Sequence, residues 1–249
     1  MKILITGSTS GFGKAIAQKF ARKENELWLC GRRTDRLKAL QEQLAANGIK
    51  TYITTLDVRD SLKVQQLADE ISKAWGSPDV LVNNAGLALG MSPIMEGAVE
   101  DWDTMIDTNV KGLLYVSRAI LPLMCARKSG HVINIGSTAG KVAYQNGNVY
   151  CATKFAVDAL SQSMRIDLLP HRIKVTAINP GMAETEFSLV RHKGDAAKAR
   201  ATYEGFEALT AEDVADAVYY CTTLPAHVCI NDLTITCIQQ ANSTYKYTD

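Results

Sequence analysis

Tyr150 and Lys154, in the run YCATK, stand four residues apart, so on a helix both project from one face and approach a common ligand. A free tyrosine has a pKa of about 10 and is a poor base at neutral pH, but a lysine ammonium and an oxidised nicotinamide beside it both favour the phenolate. In that setting Tyr150 takes or gives a hydroxyl proton while a hydride moves to or from the nicotinamide. The pair alone is equally what an exposed helix face looks like. Ser137 argues for the chemistry, because it directly follows the apolar run VINIG and its hydroxyl could hold a substrate oxygen there. Asn109, in DTNVKG, is awkward in a helix interior, where its amide competes for backbone partners, and this hints at a purpose.

These residues need a frame, and the hydrophobic pattern supplies one. Residues 2–6, 26–31, 51–58, 79–83, 131–136, 173–178 and 233–238 are short apolar runs with the look of buried strands. Between them lie helical spacings: Phe12, Ile16 and Phe20; Leu37, Leu40 and Leu44; Val64, Leu67, Ile71 and Trp75; segments at 102–109 and 113–127; a long helix at 148–169; and Val214, Val218 and Cys221. Alternation of this kind predicts an α/β fold, a doubly wound parallel sheet of about seven strands with helices on both faces. Ligands of such sheets sit at the carboxyl ends of the strands, which singles out residues 7–13, 31–33, Asp57, 83–86, Ser137 and the chain from Pro180 onward.

Composition bounds the function. The chain has 249 residues, and 27 Lys and Arg against 26 Asp and Glu leave no basic footprint of a nucleic-acid binder. No apolar stretch approaches the 18 to 20 or so residues that cross a bilayer, so we expect a cytoplasmic protein with no membrane partner, and a single domain over residues 1–249. Cys30, Cys125, Cys151, Cys221, Cys229 and Cys237 are scattered through apolar segments and read as small core residues. They and the four histidines show no ligand spacing, and no metal site is expected.

The first strand runs into TGSTSGFG, where Gly7, Gly11 and Gly13 let a backbone approach a pyrophosphate at a helix N-terminus. Ser8, Thr9, Ser10 and Phe12 share that loop. An NAD-selective site places an acidic residue at the end of the second strand to bind the ribose hydroxyls. Here that place reads CGRR, and Arg32 and Arg33 are suited to a 2′-phosphate, so NADP is favoured over NAD. Asp57, followed by Val58, is placed either to meet the adenine edge or to cap the helix that begins around residues 60–61.

Together TGSTSGFG, NNAG at 83–86, Asn109, Ser137, the Tyr150–Lys154 motif and the PG of Pro180 and Gly181 resemble the classical short-chain dehydrogenases/reductases over nearly the whole chain. The resemblance implies a Rossmann-like domain, commonly homotetrameric. Ser137 would orient the substrate and Tyr150 would act as acid/base. Lys154 would bind the nicotinamide ribose and tune Tyr150, and Asn109 would hold a proton-relay water. Asn84, Ala85, Gly86, Pro180, Gly181 and Thr185 fall with the cofactor contacts on the same ground. The runs NNAGLALG, EDWDTMIDTN, INIGSTAG, NVYCATK, TEFS with VRHKGD, and LPAHVCIN are similar to the NADP-dependent 3-hydroxy acid dehydrogenases, a subgroup that includes serine and allo-threonine dehydrogenases and overlaps malonic semialdehyde reductases. The run PGMAETEF departs from that pattern where the chain passes into a substrate lid at about 182–209.

An enzyme of small hydroxy acids needs a cation for the carboxylate. Arg191 is our candidate clamp, since its planar fork suits bidentate binding; the alternative is a solvated, charged lid. Rival readings are a reductase of another carbonyl, such as a 3-oxoacyl thioester or a sugar, and a nonenzymatic NADP sensor. A sensor would have no need of Ser137, Tyr150 and Lys154 together.

Overall fold

Alternate side chains of a strand face opposite ways, and here both faces of every central strand are apolar, which demands helices on each side. The computed structural model describes residues 1–248 and forms β1 (Lys2–Thr6), β2 (Glu26–Gly31), β3 (Lys50–Thr55), β4 (Val80–Asn83), β5 (Gly130–Ile135), β6 (Ile173–Pro180) and β7 (Asp232–Ile235). They make one sheet of order β3-β2-β1-β4-β5-β6-β7 in which every pairing is parallel. The winding starts at β1, runs outward to β3, then returns to β4 and runs outward the other way.

Parallel strands need crossovers, and helices supply them. Ile3, Ile5, Val80, Val82 and Ile133 face α1 (Gly11–Lys19), α2 (Thr34–Ala45) and α9 (Ala211–Thr223), meeting Ile16, Leu37, Leu40, Val214 and Val218. Their neighbours Leu4, Leu81 and Val132 face α3 (Ser61–Trp75), α5 (Leu113–Arg127) and α6 (Asn148–Leu168), meeting Val64, Ile71, Val116, Ile120 and Val157. The doubly wound sheet with helices on both faces is therefore as expected. Between β4 and β5 lies α4 (Val99–Ile106), joined to α5 by a π-helical stretch over Asp107–Gly112. The charged segment after β6 holds two short helices, α7 (Glu186–Arg191) and α8 (Ala196–Ala201).

Two strands are shorter than the apolar pattern predicts. The third was expected over 51–58, but β2 ends at Gly31, opposite Thr55, and the chain beyond has no partner strand. The last was expected over 233–238, but β6 ends at Pro180, opposite Ile235. Cys30, Cys151 and Cys221 are buried as core residues, whereas Cys125, Cys229 and Cys237 are only half-buried; all six are free. Among the described residues no helix is long and apolar enough to cross a membrane.

Candidate active site

Where the winding reverses, the loops after β1 and β4 diverge and open a groove of about 250 Å³ at the carboxyl edge of the sheet. The loop after β1 depends on glycine for both conformation and space. Gly7 has φ +68° and Gly11 has φ +48°, a region other residues rarely adopt. A Cβ on Gly7 would stand 2.9 Å from Ala85 Cα, and one on Gly13 would overlap Gly7 O. Asn84 braces this loop, its Nδ2 donating to Thr6 O at 2.9 Å and to Gly7 O at 3.1 Å. Thr6 Oγ1 accepts from Asn84 N at 3.0 Å and Ala85 N at 3.1 Å. The result is a cradle walled by backbone, which fits the approach of a dinucleotide pyrophosphate.

Gly7, Thr9, Ser10, Gly11 and Phe12 line the groove on one side, and Asn84, Ala85 and Gly86 line the other. Arg32, Arg33, Asp57 and Val58 line its far end, Tyr150 and Lys154 line its near end, and Thr185 lines it beside Gly11. Four candidate cofactor residues are not on its wall. Ser8 is fully buried and turns its hydroxyl to Cys30 O at 3.1 Å, because this part of the loop still packs on the end of β2. Gly13 lies beneath the loop, and Pro180 accepts a 3.4 Å bond from Ser137 Oγ. Gly181 N donates to Ile235 O at 2.8 Å.

The two arginines after β2 differ. Arg32 forms no ion pair among the described residues, whereas Arg33 Nη1 contacts Glu186 Oε2 at 2.9 Å. Arg33 also donates from Nε and Nη2 to Thr9 Oγ1, at 3.2 and 3.1 Å, and from Nη2 to Ser10 Oγ at 2.7 Å. Asp57 is gripped by Arg59, whose Nη2 lies 2.6 Å from Oδ2, and this bond holds the Asp57 carboxyl below the usual carboxylate range. The cap of α3 is Asp60, which accepts from Lys63 N at 3.0 Å, so the capping alternative for Asp57 is corrected. Asp60 is one residue before the helix, where a side chain reaches the free N–H groups of the first turn; Asp57 is too far upstream.

At the other end, the first two turns of α6 carry Tyr150 and Lys154, which are 8% and 7% exposed. Burial pushes the Tyr150 phenol above its ordinary value, Tyr144 adds to the rise, and the Ser137 hydroxyl and Arg191 oppose it. Burial also lowers Lys154 to about 8, and its ammonium donates to Ile135 O at 2.9 Å. Lys154 Nζ stands 5.9 Å from the Tyr150 ring centre. Ser137 caps the short 3-10 turn Thr138–Gly140, its Oγ accepting from Ala139 N at 3.1 Å.

Asn109 is not in an α-helix but in the π-helical stretch, and its side chain is fully engaged. Oδ1 accepts from Leu87 N at 2.8 Å, and Nδ2 donates to Leu87 O at 2.8 Å and Thr153 Oγ1 at 3.0 Å. Its amide thus ties α6 to the loop after β4. The unusual turn accounts for a residue type that an α-helix interior disfavours.

Sequence reasoning missed three neighbours. Phe187, on α7, lies 5.5 Å from the Tyr150 ring, Tyr144 shares the Arg191 cation with Tyr150, and Glu186 reaches Arg33 and Arg36. The acidic and aromatic residues of TEF just after PG were the available signal. Arg191, at the end of α7, sets its guanidinium 5.3 Å from the Tyr144 ring centre and 5.4 Å from that of Tyr150. Among the described residues it has no acidic partner, and its Nε donates to Gly90 O at 3.4 Å.

A parallel sheet whose reversal point holds a glycine-walled groove, with a tyrosine, a lysine and a serine at one end, defines a dinucleotide-dependent oxidoreductase. The chain belongs to the short chain dehydrogenase family, whose model matches residues 1–195. It is 48% identical over 242 residues to NADP-dependent 3-hydroxy acid dehydrogenase YdfG of Escherichia coli K12, covering 97% of this chain and 96% of that protein. It is 45% identical to sulfoacetaldehyde reductase 2 of Chromohalobacter salexigens, over 98% of this chain and 96% of that one. Among solved structures, the closed form of a serine dehydrogenase complexed with NADP+ superposes with a TM-score of 0.94 at 47% identity, covering all of both chains.

Proposed function

We propose that this protein is an NADP-dependent dehydrogenase of short 3-hydroxy acids, including serine-like and allo-threonine-like substrates, and reduces the matching 3-oxo acids in reverse. The observation that carries this reading is Arg191, a cation without an acidic partner among the described residues, held 5.4 Å from the ring of the buried Tyr150. A carboxylate bound to that guanidinium keeps the rest of a small hydroxy acid within reach of the phenol and of Ser137. Two of the similar proteins are named for hydroxy acid or serine oxidation, which supports the same class.

NADP, when bound, supplies the hydride acceptor or donor. In this reading Gly7, Thr9, Ser10, Gly11 and Phe12 receive its pyrophosphate, Arg32 and Arg33 its 2′-phosphate, and Lys154 a ribose hydroxyl. Asp57 and Val58 border the adenine. Ser137 Oγ orients the substrate hydroxyl, and Tyr150 Oη takes its proton during oxidation and returns it during reduction. Lys154, once its ammonium sits against the ribose, adds positive charge that favours the phenolate. Asn109 holds the wall between α6 and the loop after β4, and a relay water would meet its backbone, since its side-chain groups already bond Leu87 and Thr153. Residues 182–209 act as the lid.

The protein is further taken to be one catalytic domain, cytoplasmic and homotetrameric. Six free thiols suit a reducing compartment, and the exposed apolar side chains Leu114, Phe155, Ile166 and Leu169 on or beside α5 and α6 suit contacts between subunits. Initial rates with NADP+ and NAD+ across serine, allo-threonine, 3-hydroxybutyrate, 3-hydroxypropionate and uncharged secondary alcohols test the reading. Turnover of the acids with NADP+ is expected. Turnover of the neutral alcohols alone would overturn it.

A further inference from the structure

Glu186 is an acid in a place that the arginines after β2 reserve for an anion. Its two carboxylate oxygens bridge two guanidinium groups, Oε2 to Arg33 Nη1 at 2.9 Å and Oε1 to Arg36 Nη1 at 2.5 Å. Burial works to raise its pKa, but the bonds from Arg36 and Arg33 outweigh that and hold the carboxyl below its usual range, so it stays ionised at neutral pH. Glu186 lies on the groove wall beside Arg33.

The donor count at Arg33 sharpens the conflict. A guanidinium has five N–H groups. The Nε–H and both Nη2–H groups of Arg33 serve Thr9 and Ser10, and one Nη1–H serves Glu186, which leaves a single one. A phosphate that takes Arg33 in a two-pronged grip must displace one of these partners, and it brings close to two negative charges beside a fixed carboxylate. A ribose bearing a 2′-hydroxyl meets the opposite situation, because a carboxylate accepts that hydroxyl as the acidic residue of an NAD site does.

We propose that Glu186 is a second determinant of dinucleotide choice, a carboxylate delivered by α7 that opposes the arginines after β2 and moderates the preference for the 2′-phosphorylated dinucleotide. The proposal rests on the NADP reading above. It explains why a lid residue, 153 positions away in sequence, reaches past the reactive end of the groove to Arg33. It also means that affinity for NAD+ is built into α7 and is not merely what remains when a phosphate is absent.

The test is calorimetric titration of NADP+ and NAD+ into the wild-type protein and into Glu186→Gln and Glu186→Asp, without substrate. Removing one charge at this distance and exposure is expected to shift the ratio of the two dissociation constants about fivefold toward NADP+ in Glu186→Gln, while Glu186→Asp stays within about twofold of wild type. An unchanged ratio, a shift toward NAD+, or an equal shift in both variants would overturn the proposal, the last by assigning the effect to a lost contact and not to charge. Failure of the underlying reading looks different, since a wild-type protein that does not prefer NADP+ would contradict the role of Arg32 and Arg33 before any variant is made.

Discussion

Tyr150 and Lys154 share one environment that works against the ionised form of each. Lys154 keeps a buried charge with a single carbonyl bond and lies at about 8, well below its ordinary value, because burial disfavours the ammonium. Replacing it with an apolar side chain of similar length should therefore stabilise the fold. We expect Lys154→Met to raise the unfolding free energy at pH 7 by about 1 to 3 kcal/mol. Between about pH 8 and pH 10.5 the folded wild type has lost a proton that the unfolded chain retains, so wild-type stability rises with pH and the advantage of the variant shrinks. Denaturant melts at pH 7 and pH 10 check the sign, and a destabilised variant at pH 7 would mean that the carbonyl bond outweighs burial. Arg191 is the second test at this scale. Charge-assisted pairing with a carboxylate contributes about 1.5 to 3 kcal/mol, so Arg191→Ala should raise KM for a 3-hydroxy acid about 10- to 100-fold. KM for an uncharged secondary alcohol should move little. An equal rise for both would remove Arg191 as the clamp.

The elements put these groups together by simple rules. A run of apolar residues that ends in glycine makes a strand and then a turn, and helical spacing after the turn returns the chain across the sheet. That is why the order of strands and helices, the groove and the placement of Ser137 at the end of β5 were legible in the sequence. Strand ends were not, because the length of β3 and β7 is set by where their neighbours stop, as with Gly31 opposite Thr55 and Pro180 opposite Ile235. The π-helical stretch at Asn109 was equally hidden, since the bonds Asn109 makes there, to Leu87 and Thr153, are tertiary. The reach of Glu186 across 153 positions to Arg33 has no local signal at all. At Gly13, in α1, two effects compete. Helix propensity favours alanine there by about 1 kcal/mol, yet the new Cβ would overlap Gly7 O and the Asn84 amide. Those neighbours are the loop backbone and its brace, so we expect the clash to win. Gly13→Ala should weaken NADP+ binding at least tenfold in a calorimetric titration and lower Tm, whereas a Tm gain with unchanged binding would show that the loop can yield.

At the scale of the whole molecule, one groove connects an arginine cluster with the Tyr150 centre, and α7 bridges the two. Its first residue holds Arg33 and Arg36, its last lies over Tyr150, and Phe187 packs near the Tyr150 ring between them. The far side of the lid is pinned as well, through Gly90 N to Arg191 O at 3.0 Å and Lys193 Nζ to Asp101 Oδ2 at 2.8 Å. In the proposed reading, cofactor recognition and substrate recognition are thus joined through α7. The proposed chemistry depends on proton transfer by Tyr150 in this groove. The most direct measurement is the pH profile of kcat/KM for NADP+-dependent oxidation of the best hydroxy acid, in wild type and in Tyr150→Phe. Because burial raises the phenol, the wild-type rate should climb with pH through the neutral range and beyond. Tyr150→Phe should bind NADP+ within about threefold of wild type and lose about 10²- to 10⁴-fold in rate at every pH. A variant that kept more than about a tenth of the rate, with the same pH profile, would contradict the assignment of Tyr150 as the acid/base.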